Sequence, residues 1–257
     1  MKDLATLIGV AVGLVVIVAA NIMEGGNPMS LLLPAPMILV FGTTILVTVA
    51  GGTMADAKGA GKSLARAFKG DVAPAAEVVP SIVALADKAR REGLLALEDM
   101  LKDMDDEFLV KGVTLAIDGT DPEEVRDILE AEVAAKRKED KHAAKFFSDA
   151  GAYAPTIGII GTVMGLVHVL ESLSDPAELG HLIAGAFVAT LWGVMSANVL
   201  FLPLGNRLKR LGELEAMRMD LVIEGIAAIQ AGANPRVVAQ KLTSLLPAGQ
   251  QPLADAA

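Results

Sequence analysis

The sequence predicts an all-α membrane protein: four transmembrane helices in two hairpins, a helical cytoplasmic loop between the hairpins, and further helices in the C-terminal tail. Two observations carry this. Leu4–Met23, Leu31–Met54, Ala150–Leu170 and His181–Leu204 contain no Asp, Glu, Lys or Arg, and each is 20 to 24 residues long. As helix, that length crosses a hydrocarbon core about 30 Å thick. The second observation is the distribution of basic residues, which fixes orientation better than net charge does. Glu24–Ser30 and Ser172–Gly180 contain no Lys or Arg, whereas Ala55–Asp149 holds fifteen of the 22 and the segment after Leu204 six, Lys2 being the last. Four crossings with both termini inside place every basic residue on the cytoplasmic side.

Composition narrows the function. Of the 257 residues 53% are hydrophobic, none is cysteine, and the net charge is −9. The absence of cysteine excludes disulfides, thiolate metal sites and cysteine nucleophiles. The acidic balance argues against nucleic-acid binding. The N-terminal apolar run is too long for a signal-peptide core and reads as a retained span.

The expected organisation is a first transmembrane hairpin at 1–54, a cytoplasmic helical domain at 55–149, a second transmembrane hairpin at 150–204, and cytoplasmic helices with a disordered tail at 205–257. In the loop, Val79–Leu101 puts Ile82, Leu85, Ala86, Ala89 and Gly93 at helical spacing. Asp121-Pro122-Glu123-Glu124 reads as a helix start, with Asp121 as cap, Pro122 at the first helical position and Glu124 completing a capping box. Val125, Ile128 and Leu129 carry that helix toward Asp149 and on into the third span. After the fourth span, Leu211, Leu214, Met217 and Leu221 mark one face of a further helix, and Asn234-Pro235 opens a last one running to about Leu246. Pro247–Ala257 is small and polar.

Little catalytic chemistry is written here. Gly61-Lys62-Ser63 resembles the end of a phosphate-binding loop, but Asp56 stands where that loop needs its first glycine. His168 and His181 are the histidines of the apolar stretches, both near their outer ends. No nucleophile elbow appears.

The spans instead carry rows of small residues, which let helix backbones approach closely in lipid. Ala5, Gly9 and Gly13 repeat in the first. Gly158, Gly161 and Gly165 lie with Thr162 on one face of the third, and Gly185, Ala189, Gly193 and Ala197 repeat in the fourth. These rows serve packing within the chain or against other protomers. Thr162 and Thr190 are hydroxyls midway along the third and fourth spans, able to bond to their own backbones or to line a polar path. Pro155 and Pro203, near the cytoplasmic ends, each free a backbone carbonyl and permit bending. Spans that surround something polar yet hold no charge imply that a partner brings the carboxylate an ion needs.

These residues carry a resemblance. Ala154-Pro155-Thr156-Ile157-Gly158-Ile159-Ile160-Gly161-Thr162-Val163-Met164-Gly165, Ala186-Phe187-Val188-Ala189-Thr190-Leu191-Trp192-Gly193, Ala197-Asn198 with Leu202-Pro203-Leu204, and Ala89-Arg90-Arg91-Glu92-Gly93-Leu94-Leu95-Ala96-Leu97-Glu98 are similar to the MotA/PomA family, the larger stator subunit of the bacterial flagellar motor. The likeness covers about residues 1–246. It implies a multi-pass protein of the bacterial cytoplasmic membrane, five copies around two copies of a MotB-type partner. The partner's transmembrane helix carries the ion-binding aspartate and its outer domain grips peptidoglycan. The resemblance further implies that Arg90, Glu98 and Glu132 contact the rotor protein FliG, that Pro155 and Pro203 couple ion passage to conformational change, and that Thr162 and Thr190 line the ion path. It implies no enzyme activity and no cofactor beyond the coupling ion, with protons favoured over sodium. The rival is an ExbB/TolQ-like ion-driven energiser, against which the uncharged first hairpin and the inside Lys2 argue.

Overall fold

The computed structural model describes residues 4–70, 72–174, 176–247 and 249–251, which are helical with connecting turns and contain no strand. Lys2 and the tail beyond Gln251 lie outside the described residues. The helices are α1 Ala5–Met23, α2 Pro34–Ala50, α3 Met54–Lys69, α4 Val79–Glu92, α5 Glu107–Ile117, α6 Pro122–Glu171, α7 Pro176–Met195, α8 Leu202–Gln230 and α9 Pro235–Leu245. Two compact units result: 1–71 with 140–210, and 72–139 with 211–257.

The first unit holds the apolar helices. α1, the end of α6, and the helix running from α7 into α8 are long and apolar enough to cross a membrane. α2 is shorter and contains a π-helical turn at Ile38–Gly42. At about 1.5 Å per residue it reaches roughly 26 Å, near the lower limit for a crossing. The apolar run expected to extend to Met54 stops at Ala50, because Gly51 and Gly52 interrupt it and Thr53 starts a new helix. Thr53 and Asp56 form a true capping box: each side chain meets the other residue's backbone N–H. The position that spoils the phosphate-loop motif is therefore half of a cap. Trp192 ties α7 to α2 and to the turn before it, its indole Nε1 donating to Leu31 O at 2.7 Å and its ring centroid lying 5.5 Å from that of Phe41.

Three expectations fail at helix ends. Val79–Leu101 is not one helix. Gly93 adopts φ +86°, a conformation L-residues avoid, so α4 stops at Glu92 and Leu94–Leu97 coil as 3-10 helix before the single turn Glu98–Leu101. The helix expected after the fourth span is not separate either: α7 passes through a π-helical turn, Ser196–Phe201, directly into α8. The turn belongs to Pro203, whose missing N–H leaves Val199 O without its usual donor. The adjacent Leu202 N–H bonds to Ala197 O, five residues back. At the start of α6, Asp121 Oδ1 accepts from Glu123 N at 2.9 Å, one position earlier than the expected capping box.

The second unit has its own apolar core, with Ile82 and Leu85 of α4, Leu109 and Val113 of α5, Leu129 of α6, Ile226 of α8 and Leu242 of α9 all within 1% of full burial. Of the face expected on α8, Leu211 and Leu221 are buried while Leu214 and Met217 are partly so. Glu224 accepts from Lys241 at 2.6 Å and Arg126 at 2.8 Å. These bonds, Lys241's first, hold its carboxyl below the ordinary glutamate range against the opposing effect of burial. A folded pKa below the unfolded one contributes stability that is present at neutral pH and lost as pH falls through the folded value. Glu224→Gln is therefore expected to flatten the acid-side loss of thermal stability that wild type shows below the glutamate range, about 4.3. Melting midpoints across an acid pH series check it.

Candidate functional site

The row Gly151, Ala154, Gly158, Gly161, Gly165 runs down one face of α6 at alternating three- and four-residue steps, the spacing of a helix–helix seam. Against it lies the small face of α7. An ideal Cβ on Gly158 would stand 2.9 Å from Ala189 O and 3.1 Å from Thr190 Cα; on Gly193, 2.7 Å from Ala154 O. On Gly161 and Gly165 it would meet the Cβ atoms of Ala189 and Ala186, each at 2.7 Å. Only glycine lets the two backbones come this near. Gly185 differs, since its Cβ would meet nothing before Leu33 Cδ1 at 4.0 Å, so it makes no tight contact within the chain. The row on α1 is loose too: Gly9 faces open space and Gly13 has only an ordinary contact with Val199.

That close approach puts Thr162 and Thr190 together. Their hydroxyls touch each other, Thr162 Oγ1 also reaches Gly158 O at 3.2 Å and Ala186 O at 3.1 Å, and Thr190 Oγ1 reaches Gly158 O at 3.4 Å. Two hydroxyl protons thus face two carbonyl oxygens and each other, across the helix pair rather than only along one helix. The cluster is polar, uncharged and half-buried. Among the described residues no group of three or more His, Asp or Glu could hold a metal ion.

The two prolines occupy neighbouring turns. Gly151, four residues before Pro155, would place a Cβ 2.6 Å from Leu202, the residue before Pro203; Gly205 would place one 2.5 Å from Ser148 Oγ. Gly151 and Gly205 escaped the sequence reading, although Gly151 is the residue whose carbonyl Pro155 frees. Around this seam, Ile159, Ile160, Val163 and Met164 of α6 and Phe187 of α7 are more than half exposed.

In the second unit Arg90 and Glu98 are exposed and stand in no ion pair among the described residues. Glu132 is different, being paired with Lys111 on α5 and only half exposed. Arg90 lines an open recess of about 500 Å³ with Asp87, Arg91, Asn234, Pro235 and Arg236. Arg91 spends its charge on Asp87 at 3.0 Å. Arg236, brought to Arg90 by the packing of α9 on α4, was invisible in the sequence because nearly 150 residues separate them.

Long apolar helices, a glycine seam with a half-buried hydroxyl pair, and a separate charged helical unit define an α-helical membrane subunit. Comparison with known proteins narrows the class. Residues 100–221 match the MotA/TolQ/ExbB proton channel family and residues 7–93 match the motility protein A N-terminal family. Motility protein A of Bacillus subtilis is 36% identical over 96% of this chain and 92% of its own length. Chemotaxis protein PomA of Vibrio alginolyticus is 34% identical over 98% of both chains. The flagellar MotAB stator complex from Bacillus subtilis contains a chain of TM-score 0.90, 36% identical over 98% of this chain and all of that one. The C. jejuni MotAB structure gives TM-score 0.91 at 32% identity, covering 96% of each chain. The chain belongs to the motility protein A branch of the MotA/TolQ/ExbB proton channel family.

Proposed function

We infer that this chain is the membrane subunit of a flagellar stator that couples inward ion flow to torque on the rotor. The match at residues 7–93 sets it apart from an ExbB/TolQ-type energiser. The single observation that carries the mechanism is the Thr162–Thr190 hydroxyl pair, set in a seam of apolar helices with no carboxylate.

In this reading α1, α2, the last part of α6 and α7 cross the bacterial inner membrane as two hairpins, with the termini and the second unit in the cytoplasm. The domain division follows: hairpins at 1–54 and 150–204, cytoplasmic helices at 55–149 and 205–257. The chain works with a MotB-type partner, as the solved MotAB complexes support, and the partner's transmembrane aspartate supplies the missing charge. The exposed apolar faces of α6 and α7 suit contact with the partner helix and with further copies of this chain, five in all.

An ion, a proton by preference, reaches the partner carboxylate beside the threonine pair and neutralises it. An uncharged carboxyl packs differently against the small faces of α6 and α7 from a charged one, because a buried charge without a partner is costly. The repacking is absorbed at the turns of Pro155 and Pro203, where helical hydrogen bonds are already missing, and passes along α6 and α8, both of which continue past the membrane. Arg90, Glu98 and Glu132 then press on complementary charges of FliG. Exposed ion pairs are worth about 0–1 kcal/mol each, which suits contacts made and released at every step.

The threonine assignment is tested by the double variant Thr162→Val and Thr190→Val, which keeps shape and removes both hydroxyls. Ion flux and swimming speed are expected to fall at least tenfold with complex recovered from membranes near the wild-type amount, the size of one removed polar contact of about 1.4 kcal/mol. Undiminished speed would remove these hydroxyls from the ion path.

Arg236 is expected to act with Arg90: the loss of swimming on reversing both charges should differ from the product of the two single losses, as it does for coupled neighbours. A tethered-cell comparison of the three variants checks this, and independence of the two sites would show that the recess is not one contact surface.

A further inference from the structure

The lysine that made Gly61-Lys62-Ser63 look like a phosphate loop has no role in the account above. It lies on α3, which opens four residues after α2 ends. At about 100° per residue, Lys58, Lys62 and Lys69 fall within about 40° of one another on the helix. All three are exposed, and so are the small residues beside them, Ala55, Gly61 and Ala65. The opposite side of α3 is occupied. Ala60, Ala67 and Phe68 pack on Ala144, Phe147 and Leu208, and Arg66 meets Asp140 at 2.5 Å. Asp56, the one carboxylate of α3, is held by Thr53 in the capping box. α3 also packs against α1 and α2, so it is fixed to the apolar unit beside the end of a membrane helix.

Some lysines of this acidic protein are paired and others, Lys138 among them, stand in no ion pair among the described residues; these three stand out because they share one exposed face of a single helix. Lys102, Lys111 and Lys241, on the other unit, each stand in an ion pair with an acidic side chain. Lys58, Lys62 and Lys69 stand in none among the described residues, although the chain carries 31 acidic side chains. A row of exposed ammonium groups, with Ala55, Gly61, Ala65 and the exposed Met54 beside it, next to a helix entering the bilayer, matches a plane of phosphates.

We propose that α3 is a headgroup anchor, in which Lys58, Lys62 and Lys69 bind the phosphates of anionic phospholipids in the cytoplasmic leaflet. The anchor fixes the depth of α2, which is short for a span and gains little from length alone. The proposal rests on the topology given above, with α3 inside.

The test uses the purified stator complex with its partner, reconstituted in phosphatidylcholine bilayers containing phosphatidylglycerol. Association of spin-labelled phosphatidylglycerol is measured against the phosphatidylcholine label. Wild type is expected to prefer the anionic lipid, and the preference to fade as salt rises. In K58Q/K62Q/K69Q it should fall by about fivefold per lysine at low ionic strength. K58R/K62R/K69R should retain it, and Lys138→Gln, an exposed lysine of the other unit, should change nothing. An undiminished preference in the glutamine variant, or an equal loss in Lys138→Gln, would overturn the anchor. So would a glutamine variant that loses subunit assembly but keeps the lipid preference, since the stripe would then face a neighbouring copy. If the glutamine variant does not fold, the arginine variant and the salt dependence of wild type decide: a preference that is absent or insensitive to salt rejects the proposal. Labelling of Lys62→Cys by a membrane-impermeant maleimide added to intact cells separates the two readings. Labelling from outside would overturn the topology; protection with unchanged lipid preference would overturn the anchor alone.

Discussion

Replacing Gly158 by valine is expected to abolish swimming and to deplete the stator complex from membranes. The three nearest atoms to a new Cβ are all backbone: Ala189 O at 2.9 Å, Thr190 Cα at 3.1 Å and Gly193 Cα at 3.2 Å. Backbone cannot rotate away as a side-chain end can, so α6 and α7 must separate. Overpacking by a few carbons costs typically about 1–3 kcal/mol, and valine adds three carbons where even the first does not fit. Separation also breaks the threonine cluster, because Gly158 O accepts from both hydroxyls. Gly185→Val is the matched control. Its Cβ has about an ångström more room, and the chain's own packing tolerates it. Recovery of complex from solubilised membranes, read beside swimming speed, checks both variants. Normal recovery of Gly158→Val would mean that the α6–α7 seam is looser than the structure describes.

Reversing Arg90 to glutamate is expected to stop rotation while leaving the complex assembled. Arg90 is exposed, buries no apolar surface in the core, and has no ion-pair partner to lose among the described residues. Its removal therefore costs folding little, in keeping with surface substitutions generally, within about 0.5 kcal/mol. At the proposed rotor contact the reversal turns attraction into repulsion each time the subunit meets the rotor. The same reversal at Glu132 should be milder for torque and harsher for the fold, because Glu132 is engaged by Lys111. Tethered-cell rotation and membrane recovery of complex separate the outcomes. Loss of assembly in Arg90→Glu would count against a rotor-facing role.

How much of this was legible in the chain depends on the range of the interaction. The apolar stretches and the small-residue rows of the third and fourth spans are local periodicities, and the helices and the α6–α7 seam follow from them. Helix ends were harder. Gly93 looks like one more small residue on a helical face until its backbone is seen at positive φ. Pro203 announces a missing bond but not that the chain answers with a π-helical turn that keeps the helix continuous into α8. Gly185 and Gly9 repeat at the right interval, yet the surfaces they face within the chain are not close. Repetition licenses close packing without supplying the neighbour. Contacts across long stretches of chain were out of reach: the pairing of Arg66 with Asp140, the indole of Trp192 on Leu31, and the meeting of Arg236 with Arg90. The division into two units also cuts across the expected domains, because α3 and residues 140–149 pack with the apolar helices rather than with the rest of the loop.

The most direct measurement is rotation itself. The gene is deleted in frame in a strain with no second stator gene, and single motors are followed by tethered-cell or bead assay as the chain is supplied from an inducible plasmid. The expected result is a normal filament that does not turn. Speed should then return in discrete steps as the chain is induced, and collapse when the membrane ion gradient is dissipated. Motors that turn at full speed without the chain would contradict its role as the torque-generating stator subunit.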